Sequence, residues 1–377
     1  MFGLPSLGEL TEEQLDVLAL PVDDSHLIVG GPGTGKTVLA IYRTDLLVRA
    51  GRPTTLLMYN KVLSSYTRAA IASKGVDNVV STWHKWFHAF WRDSYNEAPP
   101  KEGRWDVDWM ACIARVGQEP PPPTALRHIV VDEGQDLPYQ FYLLLRMISD
   151  QFTIFADDHQ RISERQSTIR EIRTASGIRQ PTTLTINNRN TPPIAALAAH
   201  FRTNEDDAPE RLAAAPLPTG GAPRPLLVRH DRRSDVIDHV LRFEAERPDD
   251  TIGVLLYRAA DLRAFYRLLF GRTKHPVQGY LSQNRTHPLP ELQFAQPGIK
   301  LLTWASAKGL QFDSVLLPEL QAVPGDPSMD DLRMQLYVQI TRARHRLHMM
   351  YTGSGQPELV RQLPGRLIEV AAPDCAP

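Results

Sequence analysis

The sequence predicts an α/β chain of two tandem units, each a parallel sheet with helices on both faces. Three features predict it. Short apolar runs of strand length alternate with stretches of helical spacing. The alternation starts near Leu27-Ile28-Val29 and a second series starts near Thr182–Ile186. At 377 residues the chain is longer than one hydrophobic core usually serves.

Leu27-Ile28-Val29 reads as the first strand and Val38 to Ala50 as the helix after it. Between them runs Gly-Gly-Pro-Gly-Thr-Gly-Lys-Thr, with four free positions between a glycine and Gly-Lys-Thr. Glycines let successive backbone N–H groups converge on phosphate oxygens, Lys36 adds a mobile positive charge, and the Thr37 hydroxyl suits Mg²⁺. Gly30, Gly31, Pro32, Gly33, Thr34, Gly35, Lys36 and Thr37 are therefore candidate ligands of a nucleoside triphosphate.

Thr55–Tyr59, Asn78–Thr82, His128–Val131 and Phe152–Ala156 continue the first series of strands. Trp83, Trp86, Phe87, Phe90 and Trp91 fall at helical spacing, which predicts a helix packed on the core. The stretch from Asn96 to Thr124 holds a short helix around Asp108–Arg115 and the proline run Pro120 to Pro123, and reads as a small insertion. His128–Val131 delivers Asp132 and Glu133 at a strand's C-terminal end, where ligands of parallel sheets bind. Asp132 suits Mg²⁺ and Glu133 suits polarisation of an attacking water.

The second series runs through Thr182–Ile186, Pro225–Val228, Ile252–Tyr257, Lys300–Thr303, Ser314–Leu317 and Leu347–Tyr351. Pro216–Pro225 reads as a loop, Gly271–Gly298 as a long irregular connection, and residues after Leu367 as a loose tail. These limits predict a first domain over 1–178, a second over 179–367 and a tail over 368–377.

Composition narrows the function classes. Cys112 and Cys375 lie far apart, which gives neither a disulfide framework nor metal-ligand spacing. Glu12, Glu13 and Asp16 stand where an export signal would be basic and apolar, and no stretch has the length of a membrane span. A soluble cytoplasmic protein is expected. The formal net charge of −1 means that any nucleic-acid contact comes from local patches.

With these motifs in place, the chain resembles a superfamily 1 helicase of the UvrD/Rep group over nearly its whole length. Leu10-Thr11-Glu12-Glu13-Gln14 is similar to the glutamine motif, in which Gln14 reads the adenine; the same acids also favour a helix N-terminus. Ala156-Asp157-Asp158-His159-Gln160 resembles the family's Gly-Asp-x-x-Gln, which makes Gln160 a γ-phosphate sensor. Asn187-Asn188-Arg189-Asn190-Thr191 and Tyr337-Val338-Gln339-Ile340-Thr341-Arg342-Ala343-Arg344 resemble the two family segments that carry arginine fingers. Arg189 and Arg342 inherit that role. Thr303 to Phe312 resembles Thr-x-His-x-x-Lys-Gly-Leu-Glu-Phe, with Ala305 in place of the His and Gln311 in place of a Glu implicated in ribose contact.

The resemblance implies two RecA-like domains, ATP and Mg²⁺ in the cleft between them, and 3′-to-5′ travel on single-stranded DNA. Tyr59-Asn60-Lys61 and Thr82-Trp83-His84 are similar to family segments that position a phosphate backbone, so Asn60, Lys61, Thr82 and His84 are candidate nucleic-acid contacts. The family's stacking Tyr and Trp after the sensor glutamine are replaced by Arg161-Ile162-Ser163-Glu164-Arg165. Arg161, Arg165, Arg170 and Arg173 either grip a backbone or form a solvated face with Glu164 and Glu171. The gaps from His84 to Asp132 and from Arg189 to Thr303 are too short for the family's large helical insertions. A minimal motor is one reading. The other is an ATPase switch or sensor subunit in a repair or phage-defence complex with a nuclease partner.

Overall fold

A computed structural model describes residues 4–59, 64, 67, 79–103, 106–122, 127–149, 151–157, 166–201, 213–214, 221–280, 289–294, 296–324 and 330–371. The chain divides into two compact units, one built on Gly3–Ile186 and the other on Asn187–Asp206 and Ala213–Pro377.

The first unit is a six-stranded sheet of β1 (His26–Gly30), β2 (Thr54–Met58), β3 (Val80–Thr82), β4 (His128–Val131), β5 (Phe152–Ala156) and β6 (Thr182–Leu184). Their order is β3-β2-β4-β5-β1-β6, with every neighbouring pair parallel. Parallel strands covered on both faces bury all their side chains, which is why they read as unbroken apolar runs. The C-terminal ends of β1, β2, β3, β4 and β5 consequently lie on one edge of the sheet.

Helices α1 (Glu12–Ala19), α2 (Lys36–Arg49), α3 (Trp83–Tyr95), α4 (Trp109–Gln118), α5 (Tyr139–Ile148) and α6 (Ile169–Ser176) complete this unit. The Thr82 hydroxyl accepts from Lys85 N to start α3, and Asn96 ends it in the left-handed region at φ 56°. Trp83, Phe87, Phe90 and Trp91 point into the core with Trp86 partly buried beside them, as the helical spacing predicts. The Asp108 carboxylate caps α4, whose Cys112 and Val116 join the same core, so the short stretch between α3 and β4 is part of this unit's packing. Burial pushes the Cys112 thiol up to about 12, which leaves it a protonated packing group.

Two sequence expectations are corrected by strand pairing. The strand at Thr182 does not open the second sheet. It pairs with β1, Ile28 facing Thr182 and Gly30 facing Leu184, so the first unit extends past residue 178. Thr185 N and Oγ1 then donate to the Glu13 carboxylate at 2.9 and 2.5 Å, tying this edge to α1. A short apolar run does not say which sheet completes its hydrogen bonds.

The second unit holds β7 (Leu226–His230), β8 (Thr251–Leu256), β9 (Gln278–Gly279), β10 (Gly298–Thr303), β11 (Phe312–Leu317), β12 (Ala343–Thr352) and β13 (Glu369–Ala371). They form one sheet in the order β9-β10-β8-β11-β12-β7-β13, again parallel throughout. Helices α7 (Pro192–His200), α8 (Arg233–Glu246), α9 (Ala259–Leu269), α10 (Asp330–Ile340) and α11 (Glu358–Arg361) accompany it. The supposed tail after Leu367 is the second correction: Glu369–Ala371 pairs with β7 as an edge strand. Its middle residue, Val370, is 70% exposed, so backbone pairing holds the strand without the apolar pattern that would announce it.

Buried histidines make this fold sensitive to acid. His239 and His348 lie buried with Nε2 and Nδ1 3.0 Å apart, and His230 packs against His239. Burial, then the neighbouring His239 and the charges of Arg247 and Arg346, holds His348 down at about 3; burial likewise holds His239 and, in β4 of the first unit, His128 at about 4. An unfolded histidine takes its proton near pH 6.5. Below that point the unfolded chain binds protons that the folded chain refuses, so stability is complete above about pH 6.5 and is lost as the pH falls towards 4. The urea midpoint should therefore fall steadily between pH 6.5 and 4.5; a midpoint constant over that interval would contradict the neutral buried histidines.

Candidate nucleotide site and arginine segments

Gly30 is the last residue of β1, and α2 begins at Lys36. The loop between them turns through Gly33 at φ 83° and Gly35 at φ 91°, where side chains are strained. A β-carbon on Gly35 would also collide with Gln14 Nε2. Gln14 is thus a buttress: its Nε2 donates to Thr34 O at 2.8 Å and its Oε1 accepts from Thr11 N at 3.0 Å. The residue that resemblance assigns to adenine has one end of its carboxamide on the phosphate loop and the other on the N-cap of its own helix.

Lys36 is 7% exposed, and its ammonium donates to Gly30 O at 2.6 Å, Gly31 O at 2.9 Å and Asp157 Oδ2 at 3.0 Å. Sheet order explains the last contact. β5 lies between β1 and β4, so Asp157, just past its end, sits between the loop and the acidic turn after β4.

Thr37 Oγ1 donates to Asp132 Oδ2 at 2.7 Å, bringing together the two residues that the sequence proposes for Mg²⁺. Asp132 is 1% exposed and its other oxygen, Oδ1, is buried with no hydrogen-bond partner. Burial first, and then the adjacent Glu133, raises its pKa to about 7, against the lowering pull of Thr37 and Lys36. A buried carboxylate oxygen without a donor fits a hard cation, and Mg²⁺ uses few protein ligands. No cluster of three His, Cys, Asp or Glu side chains suited to a metal occurs among the described residues.

Glu133 adopts φ 54°, a conformation that costs a non-glycine residue about 1–3 kcal/mol and that surrounding structure must hold in place. Asp136 N donates to Glu133 O at 2.9 Å, and Tyr142 Oη donates to Gly134 O. Gly134 itself has no room for a side chain, since a β-carbon there would lie 2.7 Å from Ile154 Cγ2. The Glu133 carboxylate, from a residue 6% exposed, accepts from Gln135 Nε2 at 2.7 Å, and Gln135 Oε1 accepts from Asp157 N at 2.9 Å. Asp157 falls within the segment that resembles Gly-Asp-x-x-Gln and Gln135 lies two residues past Glu133, but only the sheet order reveals what they touch.

In the second unit two segments are stitched together. Asn187 Oδ1 accepts from the backbone N–H of Arg189 and of Asn190, at 3.0 and 3.1 Å. Asn190 Nδ2 donates to Thr341 O at 3.1 Å and Ala343 O at 2.5 Å, and Thr191 N donates to Arg344 O at 3.0 Å. The segments bearing Arg189 and Arg342 are thereby neighbours. Arg189 is partly exposed. Arg342 is 1% exposed, and its guanidinium donates to Val338 O at 2.8 Å, Leu310 O at 3.1 Å and Thr341 Oγ1 at 3.2 Å. Phe312 N donates to Arg342 O at 3.0 Å, which places the partly buried Gln311 beside the same segment.

Of the candidate nucleic-acid contacts, Thr82 and the exposed His84 lie at the end of β3, on the sheet edge that also carries the phosphate loop. The Thr82 hydroxyl is occupied as the cap of α3. Asn60, Lys61 and Gln160 lie outside the described residues, as do Arg161 and Arg165.

Residues 18–166 match the family model of an AAA domain. The first unit has a P-loop fold of that type. The matched span runs from before β1 to beyond β5 and includes the loop, Thr37, Asp132 and Glu133. No curated protein matches the chain. Among solved structures, one similar to it is the C-terminal domain of a possible DNA helicase from Lactobacillus plantarum WCFS1, at 22% identity and a TM-score of 0.33. The match covers 48% of this chain and 97% of that one, and at this score it carries no argument about function. No helix among the described residues is long and apolar enough to cross a membrane.

Proposed function

We propose that the protein is an ATP hydrolase that drives movement on single-stranded DNA, a compact relative of UvrD/Rep-type helicases. The observation that carries this reading is the 2.7 Å contact between Thr37 and Asp132, which brings together the chain neighbours Lys36 and Glu133. Mg²⁺ would be held by Thr37 and Asp132 and would supply positive charge to the phosphate oxygens. Lys36 would exchange one of its three acceptors for a phosphate oxygen, and Glu133 would orient water and take its proton. Resemblance assigns both Arg189 and Arg342 to γ-phosphoryl charge; Arg342 is engaged inside its own unit, so Arg189 would carry that task, while Gln160 would sense the γ-phosphate and Gln311 would contact the ribose. Asn60, Lys61, Thr82 and His84 would position the nucleic-acid backbone, and 3′-to-5′ travel follows from the same resemblance; a cytoplasmic location rests instead on the cysteine usage.

A second reading, the ATPase switch in a repair or defence complex with a nuclease, is favoured by one observation. The aromatic tract of α3, from Trp83 to Trp91, is engaged in the core instead of offering a surface for base stacking. Hydrolysis measured with and without single-stranded oligonucleotide separates the readings. Stimulation is the expected result, while turnover indifferent to oligonucleotide would favour the switch. Glu133→Gln should keep nucleotide binding and lose about 10²–10⁴-fold in turnover, the usual contribution of a general base. No turnover by the native protein under either condition would refute the proposal.

A further inference from the structure

Gln135 is fully buried, and each end of its carboxamide has a partner that fits only one orientation. Nε2 lies 2.7 Å from Glu133 Oε2, an acceptor, and Oε1 lies 2.9 Å from Asp157 N, a donor. Rotating the amide by half a turn would set oxygen against oxygen and N–H against N–H, so the partners fix the assignment. The backbone of the same residue is held as well, since Ser167 N donates to Gln135 O at 3.0 Å. A buried amide costs desolvation that an apolar side chain of equal volume would avoid. Its placement therefore calls for a reason beyond filling space.

We propose that Gln135 is the positioning residue of the hydrolytic step. It rests on the reading of Glu133 as the group that activates water, and it adds the means by which that carboxylate is aimed. By donating to Oε2, Gln135 fixes the rotation of the Glu133 carboxylate and leaves Oε1 to receive the proton of water. By accepting from Asp157 N, it refers that orientation to the residue whose carboxylate binds Lys36 at 3.0 Å. The lysine that grips phosphate and the glutamate that directs water thus share one hydrogen-bonded path: Lys36, Asp157, Gln135, Glu133. A displacement of Asp157 when Lys36 turns to a phosphate would reach Glu133 through a single side chain.

The test uses the full chain with Gln135→Met, which keeps the volume and removes both hydrogen bonds. Gln135→Glu is its companion, keeping the acceptor for Asp157 N and replacing the donor to Glu133 by a like charge. The readouts are saturated turnover, equilibrium binding of a fluorescent ATP analogue with Mg²⁺, and thermal unfolding. Turnover should fall about 10–100-fold, as for other residues that orient an active group, while analogue affinity stays within about three-fold and the protein remains folded. Native turnover in either folded variant would overturn the inference, as would a loss confined to KM. Failure of the underlying reading looks different: the native protein would not hydrolyse ATP, or Glu133→Gln would turn over at the native rate.

Discussion

Lys36→Ala should bring ATP turnover to background and weaken triphosphate binding by on the order of 100-fold, taking about 3 kcal/mol for hydrogen bonds to a charged group. The variant has a second consequence that the structure makes predictable. Lys36 is the cation beside Asp157, which is 0% exposed, and removing one member of a buried pair costs about 3–5 kcal/mol. Lost activity by itself therefore does not separate a binding role from simple destabilisation. The double variant Lys36→Ala with Asp157→Asn does, because it removes the carboxylate along with its counter-ion. It should recover much of the lost melting temperature and none of the affinity. Recovery of both, measured by analogue titration beside thermal unfolding, would mean that Lys36 serves the fold and not the nucleotide.

The same residue shows what the sequence made legible and where it stopped. The phosphate loop can be read because its chemistry is local: glycines, lysine and threonine act within eight consecutive positions. Asp132 and Glu133 were legible for a similar reason, as acids following a buried strand. What brings Asp157 to Lys36 is the insertion of β5 between β1 and β4, a property of strand order that no run of residues states. The left-handed backbone of Glu133 was also hidden, since glutamate has no preference for φ 54°; the surrounding contacts impose it. The strand at Thr182 and the edge strand at Glu369 were misplaced because backbone pairing leaves little trace in side chains. Gln14 is singled out in the sequence by resemblance alone, and its engagement with Thr34 depends on a contact twenty positions along the chain.

Arg342→Ala should act first on the stability of the second unit and only through that on turnover. Resemblance gives Arg342 and Arg189 the same task, but the structure treats them differently. The Arg342 fork is committed to Val338 O, Leu310 O and Thr341 Oγ1 within its own unit, at 1% exposure. Truncation would strip donors from two buried carbonyls at about 1–3 kcal/mol each and leave a cavity where α10 meets the start of β11. Arg189 is partly exposed, its segment fixed by Asn187 and Asn190 at the backbone, which holds the chain and leaves the guanidinium's direction to its own contacts. Arg189→Ala is accordingly expected to lower saturated turnover by about 10³-fold, the scale of an arginine finger, with little change in melting temperature. Arg342→Lys supplies the discriminating comparison, since it retains the charge and loses the planar fork. If Arg342 is structural, the lysine variant melts early yet hydrolyses ATP normally below its melting point. A variant that melts like the native protein but turns over about 10³-fold more slowly would return Arg342 to the phosphate, and would require its three internal hydrogen bonds to open in each cycle.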